Sequence, residues 1–393
     1  MSDISSLEKY LPELVHCMKC HICYSANWQK IDDWRILCPQ AAKFGYESYY
    51  AAGKMELARA FLEGRIKEPT PRLLEVLYTC TGCGGCREQC TELSGLKIDH
   101  VDLYEKMKAY IVSKGWGPLD KHKQFAQSVV NNHNPYNEPH GNRFDWMPKD
   151  VNPTSGEKIV YFVGCTSSYR QQKIAQATVK VLKASNTPFS IMGPEEWCCG
   201  SPLIRTGQLD IVKELASHNI ETLKSMGAKQ VIFSCAGCYR TFKEDYPKLG
   251  LNLPFKPRHT TQFFLNLIRD NKLKLKTIPK DLTYHDPCHL GRHAKVYKQP
   301  RRILNALQVK YHEMPRSTTD AFCCGAGSGV RAAYPEYSKW VCKERLDEVK
   351  EVGASVLASA CPFCKNNFVE TLKDFPELKI DVVDISELLE EAL

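Results

Sequence analysis

The chain has 393 residues, which at roughly 150 residues per domain predicts two or three domains. Its 43% hydrophobic and 25% charged residues are ordinary for a soluble globular protein, and its 23 Gly and 22 Pro exclude a collagen-like or low-complexity chain. No apolar run approaches about 18 residues, which excludes a membrane-spanning helix. Residues 1–10 contain Asp3 and Glu8 and lack a basic segment followed by an apolar one, so we expect no secretory signal and a cytoplasmic protein.

The charge is uneven along the chain. Residues 1–157 carry a net charge of −1, and residues 158–393 carry +9. A basic second half could attract an acidic partner or an anionic substrate, but its Lys and Arg residues are scattered and form no stripe. We therefore expect no nucleic-acid binding.

The unusual feature of the composition is 19 cysteines. In a reducing compartment, clustered cysteines are metal ligands more often than disulfides. They form three blocks and leave only Cys342 outside. The blocks are Cys17, Cys20, Cys23, Cys38, Cys80, Cys83, Cys86 and Cys90; then Cys165, Cys198, Cys199, Cys235 and Cys238; then Cys288, Cys323, Cys324, Cys361 and Cys364.

Residues 1–130 are predicted to form a mostly helical domain organised by metal clusters. Helical patterns cover Ile4–Val15, Tyr50–Glu63, Pro71–Leu77 and His100–Ser113, with the cysteines in the loops between them. Three cysteines at x2 spacing let one loop hold three corners of a cubane cluster, and in two-cluster ferredoxins the fourth ligand comes from the other motif. This assigns Cys17, Cys20, Cys23 and Cys90 to cluster one, and Cys80, Cys83, Cys86 and Cys38 to cluster two.

Two structural zinc sites are the alternative for this block. Zinc favours Cys-x2-Cys pairs from two separate loops, which a triple at x2 spacing fits poorly. Two features depart from the ferredoxin pattern, namely the 14 residues between Cys23 and Cys38 and the Thr91 that stands where proline often follows the fourth cysteine. Both bear on the crossover of Cys38 and Cys90.

Residues 131–157 are rich in Asn, Pro and Gly and have no periodicity, which predicts a linker or an ordered strap. Phe144 and Trp146 within it indicate that the segment packs against another part of the protein.

Residues 158–276 and 277–393 are two copies of one pattern, offset by some 125 residues. In each copy a β run leads to the first cysteine, a helix follows, and a Cys-Cys-Gly precedes a second helix, a β run and a Cys-x2-Cys pair. The β runs are Lys158–Gly164, Leu282–Pro287, Gln230–Ser234 and Ser355–Ser359; the helices are Tyr169–Ala184, Gln299–Leu307, Gln208–Met226 and Pro335–Val352. The alternation predicts two α/β lobes with short parallel sheets, so the fold class is α+β multidomain with a two-cluster ferredoxin domain in front.

Five cysteines exceed what one zinc ion or one cubane needs, so each copy suits a larger or irregular cluster, or a cubane beside a reactive thiolate. The doubled motif resembles the CCG domain pair in the D subunit of heterodisulfide reductase. The words His285-Asp-Pro-Cys-His-Leu-Gly-Arg292 and Cys323-Cys-Gly-Ala-Gly327 add to the resemblance, which extends from Cys17 to Cys364. Relatives include iron–sulfur subunits of anaerobic glycerol-3-phosphate dehydrogenase and of glycolate or lactate oxidation, and the D subunit of class II benzoyl-CoA reductase.

The resemblance implies one noncubane [4Fe–4S] cluster for each complete motif, hence two of these beside two cubanes. It makes the paired cysteines candidate catalytic residues: Cys198, Cys199, Cys323 and Cys324. For His285 and His289 we expect hydrogen bonding to cluster sulfur or proton delivery, and we place His289 among the catalytic candidates. A metal face made of His285, His289 and His293 is disfavoured because Pro287 prevents a helix there.

The glycines of Gly325-Ala-Gly-Ser-Gly329 lack a dinucleotide or Walker spacing, so we expect them to give close approach to a cluster.

Three functions remain open. The first is an electron-transfer subunit that works with other flavin- or cluster-containing oxidoreductase subunits, including an acyl-CoA-reducing partner, because the chain has no hydride-carrier motif of its own. The second is a catalytic disulfide reductase, in which Arg170, Lys173, Arg292 and Lys295 hold an anionic thiol or disulfide. The third is a zinc-stapled interaction protein. The sequence leaves open whether the chain is itself an enzyme.

Overall fold

The computed structural model describes residues 4–31 and 33–393. Met1 to Asp3, which begin the segment predicted to carry no secretory signal, lie outside the described residues. The described chain divides into two compact units. Unit 1 comprises residues up to 126 together with 202–210 and 315–345, and unit 2 comprises 127–201, 211–314 and 346–393. The predicted domain boundaries at 130, 157 and 276 stay predictions.

Residues 4–31 and 33–132 are mostly helical, in agreement with the prediction. The helices are Ser5–Glu8, Leu11–His16, Pro39–Phe44, Ala51–Leu62, Pro71–Tyr78, Gly85–Gln89, His100–Ser113 and Asp120–Asn132. The single helix predicted over Ile4–Val15 is wrong, because the chain breaks at Lys9 and Tyr10 and restarts at Leu11 with Pro12 in the first turn, where a proline needs no partner for an N–H. The last helix was missed and extends past the predicted linker boundary.

Proline, threonine and aspartate residues set the starts of these helices. Thr70 caps Pro71–Tyr78 by accepting a hydrogen bond from the Leu73 amide, and Asp99 caps His100–Ser113 in the same way. Their buried faces share one apolar core in unit 1, which includes Leu77, Leu103 and Met107. The cysteine loops are attached to this core.

Unit 2 contains all eight β-strands found in the described residues. They are β1 (Ile159–Phe162), β2 (Ser190–Ile191), β3 (Gln230–Phe233), β4 (Lys256–His259), β5 (Asp281–Tyr284), β6 (Lys310–His312), β7 (Val356–Ser359) and β8 (Asp381–Asp384). They form two parallel sheets with the orders β2-β1-β3-β4 and β6-β5-β7-β8. The identical order confirms the predicted duplication and the α/β fold class of the two copies. The four short edge strands were missed, because runs of two to four residues with mixed polarity give little pattern.

The central strands form because their residues are apolar on both faces, as parallel strands require. Val160, Tyr161 and Phe162 in β1 pair with Val231, Ile232 and Phe233 in β3, and all six are buried. The first copy contributes the helices Cys165–Tyr169, Gln172–Ala184, Ser201–Thr206, Leu209–Ser225, Ala236–Arg240, Tyr246–Lys248 and Thr260–Arg269. The second copy contributes Lys298–Ala306, Val330–Ala333, Pro335–Glu351, Pro362–Leu372 and Ile385–Glu391.

Within unit 2 the two copies pack against each other. Helix Gln172–Ala184 contacts Ile385–Glu391, and helix Thr260–Arg269 contacts Lys298–Ala306. An ion pair of 2.5 Å joins Lys180 to Glu390 across the first of these contacts. The two sheets therefore share one packed body.

The predicted strap is ordered in the structure. Residues His140–Phe144 form a short 3-10 helix. Trp146 is buried, which agrees with the prediction that this segment packs against another part of the protein. No helix among residues 4–31 and 33–393 is long and apolar enough to span a membrane.

Candidate metal centres

The first candidate site is a cavity of about 350 Å³ in unit 1. Its lining includes four cysteines from two distant loops: Cys17, Cys20, Cys23 and Cys90. Cys17 ends helix Leu11–His16, and Lys19 and His21 adopt left-handed backbone angles that curl the loop around the cavity. These four cysteines are the set assigned to cluster one from the sequence. Cys20 is exposed, whereas Cys23 and Cys90 are buried.

The second candidate site is a cavity of about 420 Å³ in the same unit. Its lining includes Cys38, Cys80, Cys83 and Cys86. Cys38 precedes helix Pro39–Phe44, and the other three follow helix Pro71–Tyr78 through a glycine-rich loop. Cys23 and Cys38, which are separated by 14 residues, thus line different cavities.

A buried positive charge faces the second cavity. Lys54 is 2% exposed and donates a hydrogen bond to Gln40. Burial works to lower the pKa of Lys54, but the thiols of Cys80, Cys38 and Cys86 outweigh it and raise the pKa above its ordinary value. The lysine is therefore placed to offset the negative charge of a thiolate-bound cluster.

The grouping of the cysteines at both sites fits an iron–sulfur cluster better than a zinc ion. Each cavity is lined by three cysteines from one motif and a fourth from a distant loop. Structural zinc favours Cys-x2-Cys pairs from two loops, whereas three ligands from one motif and a fourth from elsewhere are the pattern of two-cluster ferredoxins.

The glycine loop after Cys324 packs against the loop that carries Cys80 and Cys83 within unit 1. A Cβ atom on Gly327 would lie 2.5 Å from the carbonyl oxygen of Thr81, and one on Gly82 would lie 2.5 Å from the hydroxyl of Ser328. The Gly325–Gly329 glycines thus permit close approach to the loop that carries Cys80 and Cys83.

Tyr337 lies in the same region and has an unpartnered hydroxyl. Its ring contacts Phe44 at 5.2 Å between centroids and packs with Phe322, the neighbour of Cys323. Burial raises the pKa of Tyr337 well above its ordinary value, and the thiols of Cys38, Cys80 and Cys323 add to this. Because this buried hydroxyl has no hydrogen-bond partner among the described residues, it fits a donor to a group held by these cysteines.

The first repeated motif brings its five cysteines together in unit 2. Cys165 follows β1 and Cys235 follows β3, and these neighbouring parallel strands end at the point where the strand order reverses. In parallel α/β sheets this switch point is the usual ligand crevice. The Cys198–Cys199 pair is delivered by the segment before helix Ser201–Thr206.

The five thiols lie close enough for each to interact with the next. The series runs in the order Cys165, Cys198, Cys199, Cys238 and Cys235. Hydrogen bonds from Cys198 and then Cys238 lower the pKa of the Cys199 thiol to about 6. All five residues are buried. Five adjacent thiols suit a multinuclear cluster, since a single tetrahedral ion takes only four ligands.

The glycine of each Cys-Cys-Gly motif serves the same purpose in both copies. The amide of Gly200 donates to the Cys198 sulfur at 3.4 Å, and the amide of Gly325 donates to the Cys323 sulfur at 3.4 Å. Both glycines have positive φ angles, +76° and +86°. Backbone donors to ligand sulfur are among the groups that tune iron–sulfur potentials.

The cysteines of the second repeated motif are divided between the two units. Cys288 follows β5 and Cys361 follows β7 in unit 2, where Cys364 also lies. Cys323 and Cys324 belong to unit 1. Within unit 2 the Cys361 thiol lies within interaction range of the Cys235 thiol, so the two copies approach each other at their cysteines.

The histidines near Cys288 do not form a regular α-helical face. His289 to His293 make one π-helical turn, and the rings of these two residues meet edge to face at 5.1 Å. His289 lies beside the cysteine loop of the other copy, with Nε2 at 3.4 Å from a guanidinium nitrogen of Arg240. His285 is buried, and its amide donates to the Ala358 carbonyl.

Sequence reasoning missed Arg143 and Glu196. Arg143 is fully buried, and two of its guanidinium nitrogens lie 3.6 and 3.7 Å from the Cys165 sulfur. Glu196 is also fully buried and accepts a hydrogen bond of 2.7 Å from Arg143. Arg143 lies in residues 131–157, which have no periodicity from which its burial could be predicted. Glu196 lies two residues before Cys198. The sequence signal for Glu196 is that the Pro194–Trp197 segment places an acidic residue beside the Cys198–Cys199 pair.

Family comparisons agree with this geometry. Residues 159–243 and 282–369 match the family of the cysteine-rich CCG domain, and residues 13–93 match the 4Fe-4S dicluster domain. The chain is 40% identical to the D subunit of dihydromethanophenazine:CoB–CoM heterodisulfide reductase from Methanosarcina mazei, over 98% of this chain and 95% of the relative. It is 33% identical to the B subunit of fumarate reductase (CoM/CoB) from Methanothermobacter marburgensis, over 81% of this chain and 62% of that protein.

A solved structure also resembles the chain. A hypothetical protein from Helicobacter pylori aligns with a TM-score of 0.55 at 13% identity, covering 99% of this chain and 76% of that one. This likeness concerns the fold. The two domain matches establish iron–sulfur clusters as the cofactors, and the predicted zinc alternative is set aside.

Substitution of Gly325 by alanine should disrupt the second Cys-Cys pair. A Cβ atom there would lie 2.6 Å from the Ser338 carbonyl oxygen and 2.9 Å from Cβ of Val341, at a φ angle of +86°. We expect Gly325→Ala to lose about 2–4 kcal/mol of stability and part of the bound iron. Gly353→Ala is the matched control, because Gly353 has φ +71° with nothing within 4 Å of its Cβ position.

The control should lose only about 1 kcal/mol, the cost of the backbone angle. Thermal unfolding and iron content of anaerobically purified protein measure both. Equal losses in the two variants would contradict the proposed close packing at Gly325.

Proposed function

The chain belongs to the family of the heterodisulfide reductase D subunit, and from this premise we propose that it is the iron–sulfur electron-transfer subunit of a cytoplasmic, anaerobic oxidoreductase complex. The observation that carries the proposal is the series of five buried thiols from Cys165 to Cys235, which continues by contact to Cys361 of the second copy. A series of adjacent buried thiols suits a cluster that exchanges single electrons. A protein with a purely structural role would not require it.

We assign four clusters to the cysteines. Two cubanes are held by Cys17, Cys20, Cys23 and Cys90 and by Cys38, Cys80, Cys83 and Cys86. Two noncubane [4Fe–4S] clusters are held by the repeated motifs, the first by Cys165, Cys198, Cys199, Cys235 and Cys238. The second set is Cys288, Cys323, Cys324, Cys361 and Cys364, supported by the sequence repeat and by the second CCG match.

The chemistry that such clusters supply when bound is the uptake and release of single electrons. The part played by the chain itself is to hold the ligand sets as neighbours and to keep water away. In unit 1 the thiols of Cys23, Cys38 and Cys86 interact electrostatically across the two cubane sites. In the same unit Tyr337 lies near Cys80 and Cys323, and in unit 2 Cys361 contacts Cys235. These contacts support a series of neighbouring ligand sets.

A second candidate function is reduction of a disulfide at the repeated motifs. It is favoured by two complete five-cysteine motifs that meet through Cys235 and Cys361. Two electrons from a partner subunit and two protons would convert one disulfide into two thiols. Cys198, Cys199, Cys323, Cys324 and His289 are the residues proposed to act in this step.

The two functions differ in what the isolated chain can do. Chemically reduced, partner-free protein should release thiols from a mixed disulfide if the second function holds. If the chain only passes electrons, thiol release or any other turnover should require its co-purified subunits.

The partners of the chain are proposed to be other flavin- or cluster-containing subunits, with an acyl-CoA-reducing subunit among the candidates. The named relatives are themselves subunits of larger enzymes. Apolar side chains are exposed beside the first cubane site. Leu11 and Val15 lie on one face of helix Leu11–His16, and Met18 follows between Cys17 and the exposed Cys20. We propose that this apolar face is covered by the docking of an oxidoreductase subunit.

The first prediction from this function concerns metal content. Anaerobically purified protein should be brown and contain about 16 iron atoms with matching acid-labile sulfide, four per cluster. Cys199→Ser should lose about four of these iron atoms, because it removes one of five ligands from a single site. Cys342→Ser is the control, since Cys342 is buried in helix Pro335–Glu351 outside all motifs.

Cys342→Ser should keep its iron and lose only about 1–3 kcal/mol of stability from burying a hydroxyl. Iron analysis and electron paramagnetic resonance read both variants. Colourless protein with about four zinc ions, or equal iron in wild type and Cys199→Ser, would contradict the assignment.

The second prediction concerns the docking face. Val15→Glu and Met18→Glu place charge on the proposed contact, so each should weaken retention of the partner subunit about tenfold or more. Val130→Glu is the matched control, because Val130 is 49% exposed in helix Asp120–Asn132 and stands outside the cubane motifs. Co-purification from the native host with quantitative mass spectrometry measures partner retention. Unchanged retention in all three variants would show that the partner docks elsewhere.

A further inference from the structure

Arg143 and Glu196 form a buried ion pair against the first repeated motif. Both side chains are fully buried, and the guanidinium Nη2 to Glu196 Oε1 distance is 2.7 Å. Removing two charges from water costs several kcal/mol per ion, which an ion pair alone often fails to repay. A fully buried ion pair therefore requires further polar or charged partners to offset the cost of its desolvation.

The guanidinium has such a partner in Cys165. Its two terminal nitrogens lie 3.7 and 3.6 Å from the Cys165 sulfur, and its carbon lies 5.8 Å from the centre of the Tyr169 ring. Arginine stays protonated and presents several donors in a rigid plane, so it can hold the sulfur and the carboxylate together. A thiolate that ligates iron would keep accepting these hydrogen bonds.

Glu196 fixes the arginine to the end of the central strand. Besides Arg143, its two oxygens accept hydrogen bonds from the amides of Val163 and Gly164 at 2.7 and 2.8 Å. These amides immediately precede Cys165. The carboxylate therefore orients the arginine and the cysteine from the same turn.

The second copy lacks the acidic member at the repeated position. The 125-residue offset that relates Cys198 to Cys323 relates Glu196 to Ala321. The strap that carries Arg143 also precedes only the first copy. The second copy instead has an ion pair of 2.8 Å between Arg301 and Asp286, which lies two residues before Cys288. The two copies therefore differ in which charged residues stand beside the first cysteine of the motif.

We propose that Arg143 is a positioning residue that holds the Cys165 thiolate and stabilises the reduced state of the first repeated-motif cluster, with Glu196 setting its orientation and partly cancelling its charge. The inference rests on the proposed function, since it requires a cluster bound at Cys165. A reduced cluster carries one more negative charge, so a buried cation and its N–H donors raise the reduction potential.

Redox titration monitored by electron paramagnetic resonance tests this on the complete protein. Arg143→Met removes the cation and should shift one repeated-motif signal to lower potential, leaving the other three clusters unchanged. Glu196→Gln removes the opposing negative charge and should shift the same signal to higher potential. Arg143→Lys keeps the charge and should restore part of the loss.

Arg170→Met is the matched control from the same region. Arg170 donates to Glu138 at 2.6 Å and lies over the Tyr136 ring, and no hydrogen bond joins it to a cysteine among those the structure gives it. Its replacement should shift no signal. A purely structural role for Arg143 and Glu196 would move both variants in the same direction, whereas the proposal requires opposite directions.

The redox titrations distinguish failure of the Arg143 proposal from failure of the proposed electron-transfer function. A wild-type protein without a repeated-motif signal would overturn the proposed function. A wild-type signal whose potential is the same in Arg143→Met and Glu196→Gln would overturn only the inference. If Arg143→Met binds no iron at this site, the sign of the shift in Glu196→Gln decides, and a shift to lower potential or none rejects the proposal.

Discussion

The structure depends on thiols gathered at the carboxyl ends of neighbouring parallel strands. In the first copy the connections that leave β1 and β3 run in opposite directions at the reversal of strand order, and Cys165 and Cys235 lie at the start of these connections. The Cys198–Cys199 pair enters from the segment before Ser201–Thr206 and completes the series of thiol contacts. Because ionised sulfur ligands in such numbers repel one another, a cationic iron–sulfide core between them would offset that repulsion.

Two buried cations of the protein lie beside the cysteine ligands and offset their negative charge. Lys54 is buried beside Cys38, Cys80 and Cys86, and Arg143 is buried beside Cys165. Each cation is held by a further polar group, Gln40 in the first case and Glu196 in the second. A thiolate-rich cluster carries net negative charge, so buried cations close to it lower the energy of the reduced state and of the folded protein together. The basic residues of this chain are therefore not all surface charge.

Much of this arrangement could be predicted from the sequence. The spacing of the cysteines predicted the repeat, the α/β class and the grouping of Cys38 with Cys80, Cys83 and Cys86, which line one cavity. These signals are strong because ligand spacing and strand patterns are local. The contact of Cys235 with Cys361 joins residues 126 positions apart, and the approach of Gly327 to Thr81 joins residues of different motifs, so no local pattern reports them. The burial of Arg143 was not predicted for a similar reason, because residues 131–157 show no periodicity from which burial could be inferred.

The central claim is that each five-cysteine motif binds one multinuclear iron–sulfur cluster. The most direct measurement is an anaerobic crystal structure with anomalous diffraction collected at the iron edge. The account predicts four separate groups of iron atoms, with one group ligated by both Cys198 and Cys199. A single metal peak at each site, or iron density that leaves the Cys199 sulfur without a metal bond, would contradict it.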